Sequence, residues 1–244
     1  MRLYMEAQRY RSRRFILRKP RARAELAAAA RLQGWAYVGE RPGGAGKMHI
    51  TILETAFPGI SVWYFEQEDP AFCGVTVDST LGPDAIETVA TLVQGMLVPW
   101  MLTELLDEMD NASDRILALR RAGLGAPDEA DPAFLARFSS AAADPDPAVR
   151  TAAIYAMTDT GWQECGPVMG EMARTDSERA VREFAGRAVE VLPAMRPKGR
   201  PVPVSVPDLF PEGANDLYRI AMQELAKVID GPGSSRADRD SAGD

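Results

Sequence analysis

Apolar and polar side chains alternate with a period of two in the first third of the chain, which predicts β-strands. Four segments rich in β-branched and aromatic residues are separated by turn sequences containing Pro and Gly: 35–40, 47–55, 60–66 and 72–78. His49, Thr51 and Leu53 fall on one side of the second segment, and Ile50 and Ile52 fall on the other. Because the connections are short, we expect an antiparallel meander of about four strands with one face covered.

Helical segments are predicted on both sides of these strands. An Ala-rich segment over 21–33 begins after Pro20 and ends at Gly34, as a short helix does. A longer helical stretch covers 84–109, and Pro99 should end or kink it. We expect the longer stretch to cover the sheet, with the Ala-rich helix as a possible second layer.

From residue 112 to 192 the apolar residues recur at the spacing of an α-helix, which predicts a series of helical hairpins. Segment 114–122 is expected to pair with 132–142. Segments 147–158, 163–174 and 178–192 follow. Asp131 and Asp146 stand at N-cap positions, each before a Pro in the first turn. The last segment is expected to bury one stripe of side chains: Val181, Phe184, Ala185, Ala188, Val189 and Leu192.

One short pattern occurs twice in this helical region. The run from Val149 and Arg150 to Met157 aligns with the run from Val181 and Arg182 to Val189, and the offset is 32 residues. A fixed period of this length is typical of stacked units, none of which can bury its apolar face alone.

This region resembles the HEAT-repeat family over about 112–192, through the sequence Asp-Pro-Asp-Pro-Ala-Val-Arg at 144–150 and its partial copy at 176–182. The resemblance implies antiparallel helix pairs stacked as a solenoid. It also implies a structural ladder in which Asp146 opens a helix, while Arg150 and Arg182 bond to acidic groups at neighbouring turns. The copy at 176–182 lacks the Pro, and the unit near 114 lacks the Val-Arg pair.

The remainder of the chain predicts a tether and a terminal helix. Six prolines between 193 and 211 favour an extended linker over 193–214. An amphipathic helix is predicted over 215–230, followed by a disordered tail over 231–244. The apolar face of the helix is a predicted docking surface for the chain's own helices or for a partner. This face contains Leu217, Ile220, Leu225 and Val228.

The predicted architecture is therefore α+β. Residues 1–110 form an antiparallel β-meander with packed helices and a basic N-terminal arm, and residues 111–192 form the HEAT-like solenoid. The net charge of −7 divides unevenly, because residues 1–31 hold ten basic and two acidic side chains. Such an arm either meets nucleic acid or an acidic partner, or folds back on its own acidic body.

The residues that usually carry chemistry do not form a catalytic or metal-binding pattern. His49 is the single histidine, which excludes a multi-histidine metal site. Cys73 and Cys165 are predicted to be small core residues, as in a protein of the reducing cytoplasm. The Gly-rich segment 42–47 departs from the phosphate-loop signature and predicts a hairpin turn. We therefore predict no catalytic residue, metal or cofactor, and no membrane span, since the longest uncharged run is 88–103.

These patterns predict a non-catalytic, cytoplasmic, bacterial-type scaffold or regulatory protein that binds another macromolecule, most readily a protein. One alternative is a nucleic-acid-binding protein that uses the basic arm and the inner arginines Arg120, Arg121 and Arg137. The other, implied by the HEAT resemblance, is an enzyme such as a base-excision glycosylase, with Trp100 and Trp162 in a base-stacking cleft.

Overall fold

A computed structural model of the chain describes residues 8–42, 48–67, 72–194 and 202–203. These residues form an antiparallel sheet followed by a helical region, so the predicted α+β class is confirmed. The predicted terminal helix over 215–230 lies outside the described residues, with its face of Leu217, Ile220, Leu225 and Val228. The predicted tail over 231–244 and nearly all of the Pro-rich linker lie outside them as well.

The sheet contains the predicted meander and an additional edge. Its strands are β1 (Gln8–Arg11), β2 (Phe15–Ile16), β3 (Ala36–Arg41), β4 (His49–Glu54), β5 (Ile60–Gln67), β6 (Phe72–Ser79) and β7 (Val202–Pro203). Their order is β3-β4-β5-β6-β1-β7, and β2 continues alongside β6. Strands β3 to β6 are the meander. Strands β1 and β2 come from the basic arm, which the alternation pattern did not identify as strands.

One face of the sheet is covered by α1 (Arg23–Gln33) and α2 (Pro83–Leu97). Leu53, Val62, Tyr64, Val75 and Val77 point into this layer and are buried with apolar residues of both helices. Alternating residues of a strand point to opposite faces, and Leu53, Val62 and Tyr64 each belong to one of the alternating sets of the sequence. On the other face, Ile16, Phe65 and Phe72 pack against a helix of the second region at Leu124.

Between β1 and β2 the edge strand bulges away from β6. Arg11 is paired with Asp78 and Phe15 with Val75. Three residues of the edge strand (12–14) therefore lie opposite two residues of β6 (76–77). Ser12 completes the ladder here, because its Oγ accepts the Val77 amide at 2.9 Å while its own amide donates to the Val77 carbonyl at 2.8 Å. A bulge of this kind re-aims the side chains that it displaces. Here they are Arg13 and Arg14.

The helical stretch predicted over 84–109 is divided at Pro99, as expected. Helix α2 ends at Leu97, Val98 adopts a left-handed φ of 45°, and α3 (Leu102–Asn111) begins after an extended step. The Trp100 amide donates to the Ile16 carbonyl at 2.8 Å and fixes this connection to β2. The break changes the role of the second half, since Leu105 and Met109 of α3 are buried in the helical core and not against the sheet.

The helical region continues with α4 (Arg115–Gly125), α5 (Pro132–Ala142), α6 (Pro147–Thr160), α7 (Gly166–Thr175) and α8 (Arg179–Val191). Helices α4, α6 and α8 pack side by side in one layer, and α3, α5 and α7 form the other. We call these the inner and outer layers. Helices α5 and α6 pack together, as do α7 and α8.

The predicted hairpin of 114–122 with 132–142 is wrong. Helix α4 packs against α3 and α6, and α5 packs against α6. The reason lies at Gly123, where the absence of a side chain lets α4 approach the backbone of Ala156 in α6. A Cβ at Gly123 would overlap that backbone. The inner layer is therefore set by a backbone-to-backbone approach that the period of the sequence does not reveal.

The buried stripe of α8 is also narrower than predicted. Val181, Ala185, Ala188 and Leu192 are buried in the helical core, whereas Phe184 is only partly buried. Its ring leans on Tyr155 of α6, with the centroids 4.6 Å apart. Phe184 thus lies at the border between the core and the surface of the inner layer.

We predict that Gly123→Ala destabilises the helical region by about 1–3 kcal/mol, as overpacking of a tight contact does. The matched control is Gly186→Ala on α8, where an added Cβ meets open space. That control should gain about 0.5–1 kcal/mol from reduced backbone entropy. Urea unfolding of both variants measures the difference. Equal stabilisation of the two would show that α4 and α6 are not in close contact.

Candidate functional site

Arg150 forms hydrogen bonds to the turn before α6 and to the turn before α8. Its Nε and Nη2 donate to the two carboxylate oxygens of Asp176, each at 2.8 Å. Its Nη1 donates to the carbonyls of Asp144 at 2.9 Å and Pro145 at 3.1 Å. Both side chains of the ion pair are almost fully buried. The guanidinium therefore connects the start of its own helix with the turn that precedes α8.

Arg182 repeats part of this pattern one period later. Its Nη1 donates to the carbonyls of Asp176 and Ser177, which stand in the same positions relative to Arg182 as Asp144 and Pro145 do to Arg150. The 32-residue period is thus visible in individual hydrogen bonds as well as in the sequence.

The acidic position of the series is Asp144, two residues before the predicted Asp146. The Asp146 carboxylate accepts the Ala148 amide at 2.8 Å and caps α6. The Asp144 carboxylate instead accepts the Asp146 amide at 2.9 Å and pairs with Arg115. Arg115 lies at the first position of α4, which explains how this unit forms the link without a Val-Arg pair.

A groove of about 660 Å³ lies over this series, between α5 and α7 of the outer layer. Its floor includes Arg150 and Asp176, and its walls include Ala142, Val168 and Met172. The charged groups of the floor already bond to one another. The groove therefore results from the positions of the two turns that Arg150 and Asp176 connect.

The described basic residues of the N-terminal arm are largely used within the chain. Arg11 forms two hydrogen bonds to the buried carboxylate of Asp78, at 2.5 and 2.7 Å, and stacks on Trp63. Four further ion pairs join this segment to carboxylates of the same chain: Arg18 with Glu104, Lys19 with Glu25, and Arg23 with both Glu40 and Glu66. Of the two uses predicted for the arm, folding on the chain's own acidic groups is the one seen in these contacts.

The predicted cleft between Trp100 and Trp162 is not formed. Trp162 is 3% exposed and packs edge-on against Phe134 in the helical core. Trp100 is partly buried, and its ring centre lies 4.8 Å from the guanidinium carbon of Arg18 and 5.5 Å from that of Arg121. The buried Trp162 offers no free face to a base.

Two tyrosines and Cys73 of the sheet, and Cys165 of the helical core, are held in their neutral forms. Burial, assisted by the Glu40 carboxylate, raises the pKa of Tyr37 to about 12. Burial and a 2.5 Å hydrogen bond to Glu66 raise the pKa of Tyr64 far above its ordinary value. Burial also raises the pKa of the Cys73 thiol, and that of Cys165 to about 11. These groups are poor nucleophiles at neutral pH, because the thiolate is the reactive form of cysteine.

A partly exposed aromatic pair lies on the inner layer. The guanidinium carbon of Arg120 in α4 is 4.3 Å from the ring centre of Tyr155 in α6, and Tyr155 in turn contacts Phe184 in α8. Tyr155 is 41% exposed. We call Arg120, Tyr155 and Phe184 the inner strip. The sequence analysis named Arg120 as an inner arginine but did not name Tyr155. Tyr155 lies outside the buried stripe of α6, and this position could have marked it as a surface residue.

Arg14, which lies in the bulge of the sheet edge, is a buried cation. It interacts electrostatically with Asp159 of α6 and Asp128 of the α4–α5 connection. Arg120 approaches the same Asp159, with Nε 4.0 Å from a carboxylate oxygen. Burial lowers the pKa of Arg14, and Asp159 is the main group that opposes this shift. Arg14 remains charged, as arginine does in proteins, so a cation is held in a desolvated setting.

Two further observations concern the part of the chain that the structure describes. There, His, Cys, Asp and Glu side chains do not gather in groups of three or more that could hold a metal ion. Within the same residues, no helix combines the length and apolar character needed to cross a membrane.

No protein-family model matches the chain, and neither a curated protein nor a solved structure shows significant similarity to it.

We predict that the Arg150–Asp176 pair makes the helical region acid-sensitive. Hydrogen bonds from Arg150 hold the pKa of Asp176 below its ordinary value. A carboxylate of this kind stabilises the fold above the unfolded-state pKa of about 4, and this contribution is lost as the pH falls through the lower folded-state value. Asp176→Asn should therefore be least stable relative to wild type near pH 7, by roughly 3–5 kcal/mol, and the difference should shrink towards pH 2.

Urea unfolding across this pH range measures the effect. The control is Asp110→Asn, which removes the exposed partner of Arg137 and should cost less than about 1 kcal/mol. A difference between Asp176→Asn and wild type that stays constant from pH 7 to pH 2 would contradict the assignment.

Proposed function

We propose that this chain is a non-catalytic interaction protein that binds another protein through the inner strip. The observation that carries the proposal is the contiguous contact of Arg120, Tyr155 and Phe184 across three neighbouring helices. Arginine and tyrosine are enriched among the residues that dominate binding energy at protein interfaces. A row of such side chains on the inner layer, with Tyr155 41% exposed and Arg120 and Phe184 partly exposed, is suited to a protein surface or an extended peptide.

The contacts of the basic residues favour a protein partner over nucleic acid. A nucleic-acid-binding surface needs cations that are free to meet phosphates. In this chain Arg11, Arg18 and Arg23 face carboxylates, and so do the inner arginines Arg121 and Arg137. A phosphate backbone would have to compete with these internal partners.

We further propose that α3 to α8 form a HEAT-like solenoid of a cytoplasmic scaffold. The two layers of helices and the repeated bonding of Arg150 and Arg182 support this interpretation. Such stacks present extended surfaces for binding. The buried, unpaired cysteines Cys73 and Cys165 are compatible with a reducing compartment.

A photo-crosslinking amino acid at position 155 tests the proposed function. Introduced in place of Tyr155 and activated in host cells, it should form discrete protein crosslinks that mass spectrometry can identify. The matched control replaces Arg174, an exposed residue on α7 of the outer layer. We expect the crosslinks at position 155 to be absent at 174 and to be lost when Phe184→Ala is added.

Identical crosslinks at positions 155 and 174 would contradict the proposal, since they would not depend on the inner strip. Crosslinks at position 155 that join only nucleic acid would equally overturn the protein-binding function.

A further inference from the structure

Apolar surface extends beyond the inner strip along two helices of the inner layer. Ile116 of α4 is 40% exposed, and Val191 of α8 is 49% exposed. Ile116 lies one helical turn before Arg120, and Val191 lies two turns after Phe184, so both fall on the side of the layer that carries the strip. Since Tyr155 is exposed on α6, each of the three inner helices contributes an exposed apolar side chain to this side.

The free side of the last helix is charged. Arg179, Glu183 and Glu190 are exposed along one side of α8, and the residues of α8 that are buried in the core lie on the opposite side. A polar outer face of this kind is typical of the terminal unit of a helical repeat. This side of α8 is therefore poorly matched to the apolar face of the helix predicted over 215–230.

The last part of the chain that the structure describes lies close to the inner layer. Strand β7 pairs with β1 through Gln8 and Arg9. Arg13 follows Arg9 by four residues, a span of at most about 14 Å. Its Nη1 donates to the carbonyl of Gly125, the last residue of α4, at 3.4 Å. The chain beyond β7 therefore starts near one end of an inner helix.

The chain beyond β7 is long enough to cover the inner strip. Residue 215 is 12 positions beyond Pro203, which allows a reach of at most about 40 Å. A helix over 215–230 has 16 residues and a length of about 24 Å. Neighbouring helices pack about 8–10 Å apart, so the axes of α4 and α8 are about 16–20 Å apart. One such helix can therefore contact all three inner helices.

We propose that the segment 215–230 docks on the inner strip of its own chain, and that the protein partner binds there by displacing it. This inference rests on the proposed function and adds its regulation. The tether holds the segment near the strip at a local concentration of about a millimolar, so that modest contacts are sufficient. The apolar side chains that dock are those of the face predicted from the sequence: Leu217, Ile220, Leu225 and Val228.

The groove of the outer layer is less suited to this segment. Its floor carries the ion pair of Arg150 with Asp176, and Glu171 lines it as well. An apolar helix face placed there would cover charged groups, which is unfavourable. The inner strip instead presents the rings of Tyr155 and Phe184, with their centroids 4.6 Å apart. The apolar face of the segment is therefore better matched to the inner layer.

Photo-crosslinking within the purified full chain tests the inference. The crosslinking amino acid replaces Tyr155, and trypsin digestion after irradiation releases the fragment 220–227, which ends at Lys227. We expect mass spectrometry to find this fragment joined to position 155. Position 174 on the outer layer is the matched control and should not yield such a product. Equal yields of the product from the two positions would overturn the inference.

A mixture of ¹⁵N-labelled and unlabelled chains distinguishes docking within one chain from docking on a second copy. We expect each crosslinked product to have a single isotope composition, because both of its fragments come from the same chain. Products that combine labelled and unlabelled fragments in the proportions of the mixture would overturn the inference and assign the contact to a second copy.

Two variants of the segment test the docking face. Leu217→Asp should lower the yield of the crosslinked product roughly tenfold or more, since the burial of one Leu side chain is lost. Asn215→Asp is the matched control, because it adds the same charge on the opposite side of the predicted helix. It should leave the yield unchanged. A yield that falls equally with both variants, or with neither, would contradict docking through this face.

Displacement predicts the opposite effect on the partner in host cells. Leu217→Asp should raise the crosslinks between position 155 and the partner by roughly threefold or more, because the segment no longer competes for the strip. Asn215→Asp should leave them unchanged. Partner crosslinks that do not rise with Leu217→Asp would contradict displacement.

Failure of this inference and failure of the proposed function give different results. Partner crosslinks in cells, without a product that joins position 155 to the fragment 220–227, would overturn the inference and leave the protein-binding function in place. That product without any partner crosslinks would support docking of the segment and overturn the proposed function.

Discussion

The bonding of Arg150 is the constraint on which the helical half of the structure depends. One guanidinium satisfies two carbonyls at the start of α6 and both oxygens of the Asp176 carboxylate before α8. A buried charge without such partners is strongly destabilising. Both turns must therefore lie within hydrogen-bonding distance of the guanidinium. This fixes the spacing between α6 and α8. Tyr155 and Phe184 meet on the inner layer because that spacing is set.

A second constraint joins the sheet to the helices. The Trp100 amide binds the Ile16 carbonyl, and Ile16 packs with Leu124 of α4. Gly125 leaves room for this contact, since an added Cβ would meet Ile16 and Leu105. The bulge that precedes β2 carries Arg14, whose charge interacts with that of Asp159, and Arg120 of α4 approaches the same carboxylate. Arg120 of the inner strip thus lies on a helix whose position is set by its contact with the sheet.

Local patterns predicted the parts of this structure that local forces determine. The strands β3 to β6, the break at Pro99 and the caps Asp131 and Asp146 follow from alternation, ring geometry and side-chain acceptors. The ladder role of Arg150 and Arg182 was implied by the HEAT resemblance. The described hydrogen bonds of Arg150 include a carboxylate, whereas those of Arg182 go only to backbone carbonyls.

Features that depend on distant parts of the chain could not be read in this way. Strands β1 and β2 are rich in arginine and acquire their partner, β6, only in the folded sheet. The pairing of α4 with α6 depends on the backbone contact at Gly123. Asp144 takes the acidic position because Arg115 reaches it from another helix. Arg120, Tyr155 and Phe184 come from three separate helices, so the sequence showed no motif for the inner strip.

We have proposed that Arg150 stabilises the fold and that Arg120 contributes to binding of the partner. Substitution by Met, which keeps the bulk of the side chain and removes the charge, separates the two roles in one urea-unfolding measurement. Arg150→Met should lose roughly 3–5 kcal/mol, because it leaves the buried Asp176 unpaired. Arg120→Met should change the free energy of unfolding by less than about 1 kcal/mol, since it removes a buried donor that lacks an acceptor. A loss from Arg120→Met as large as that from Arg150→Met would contradict the account.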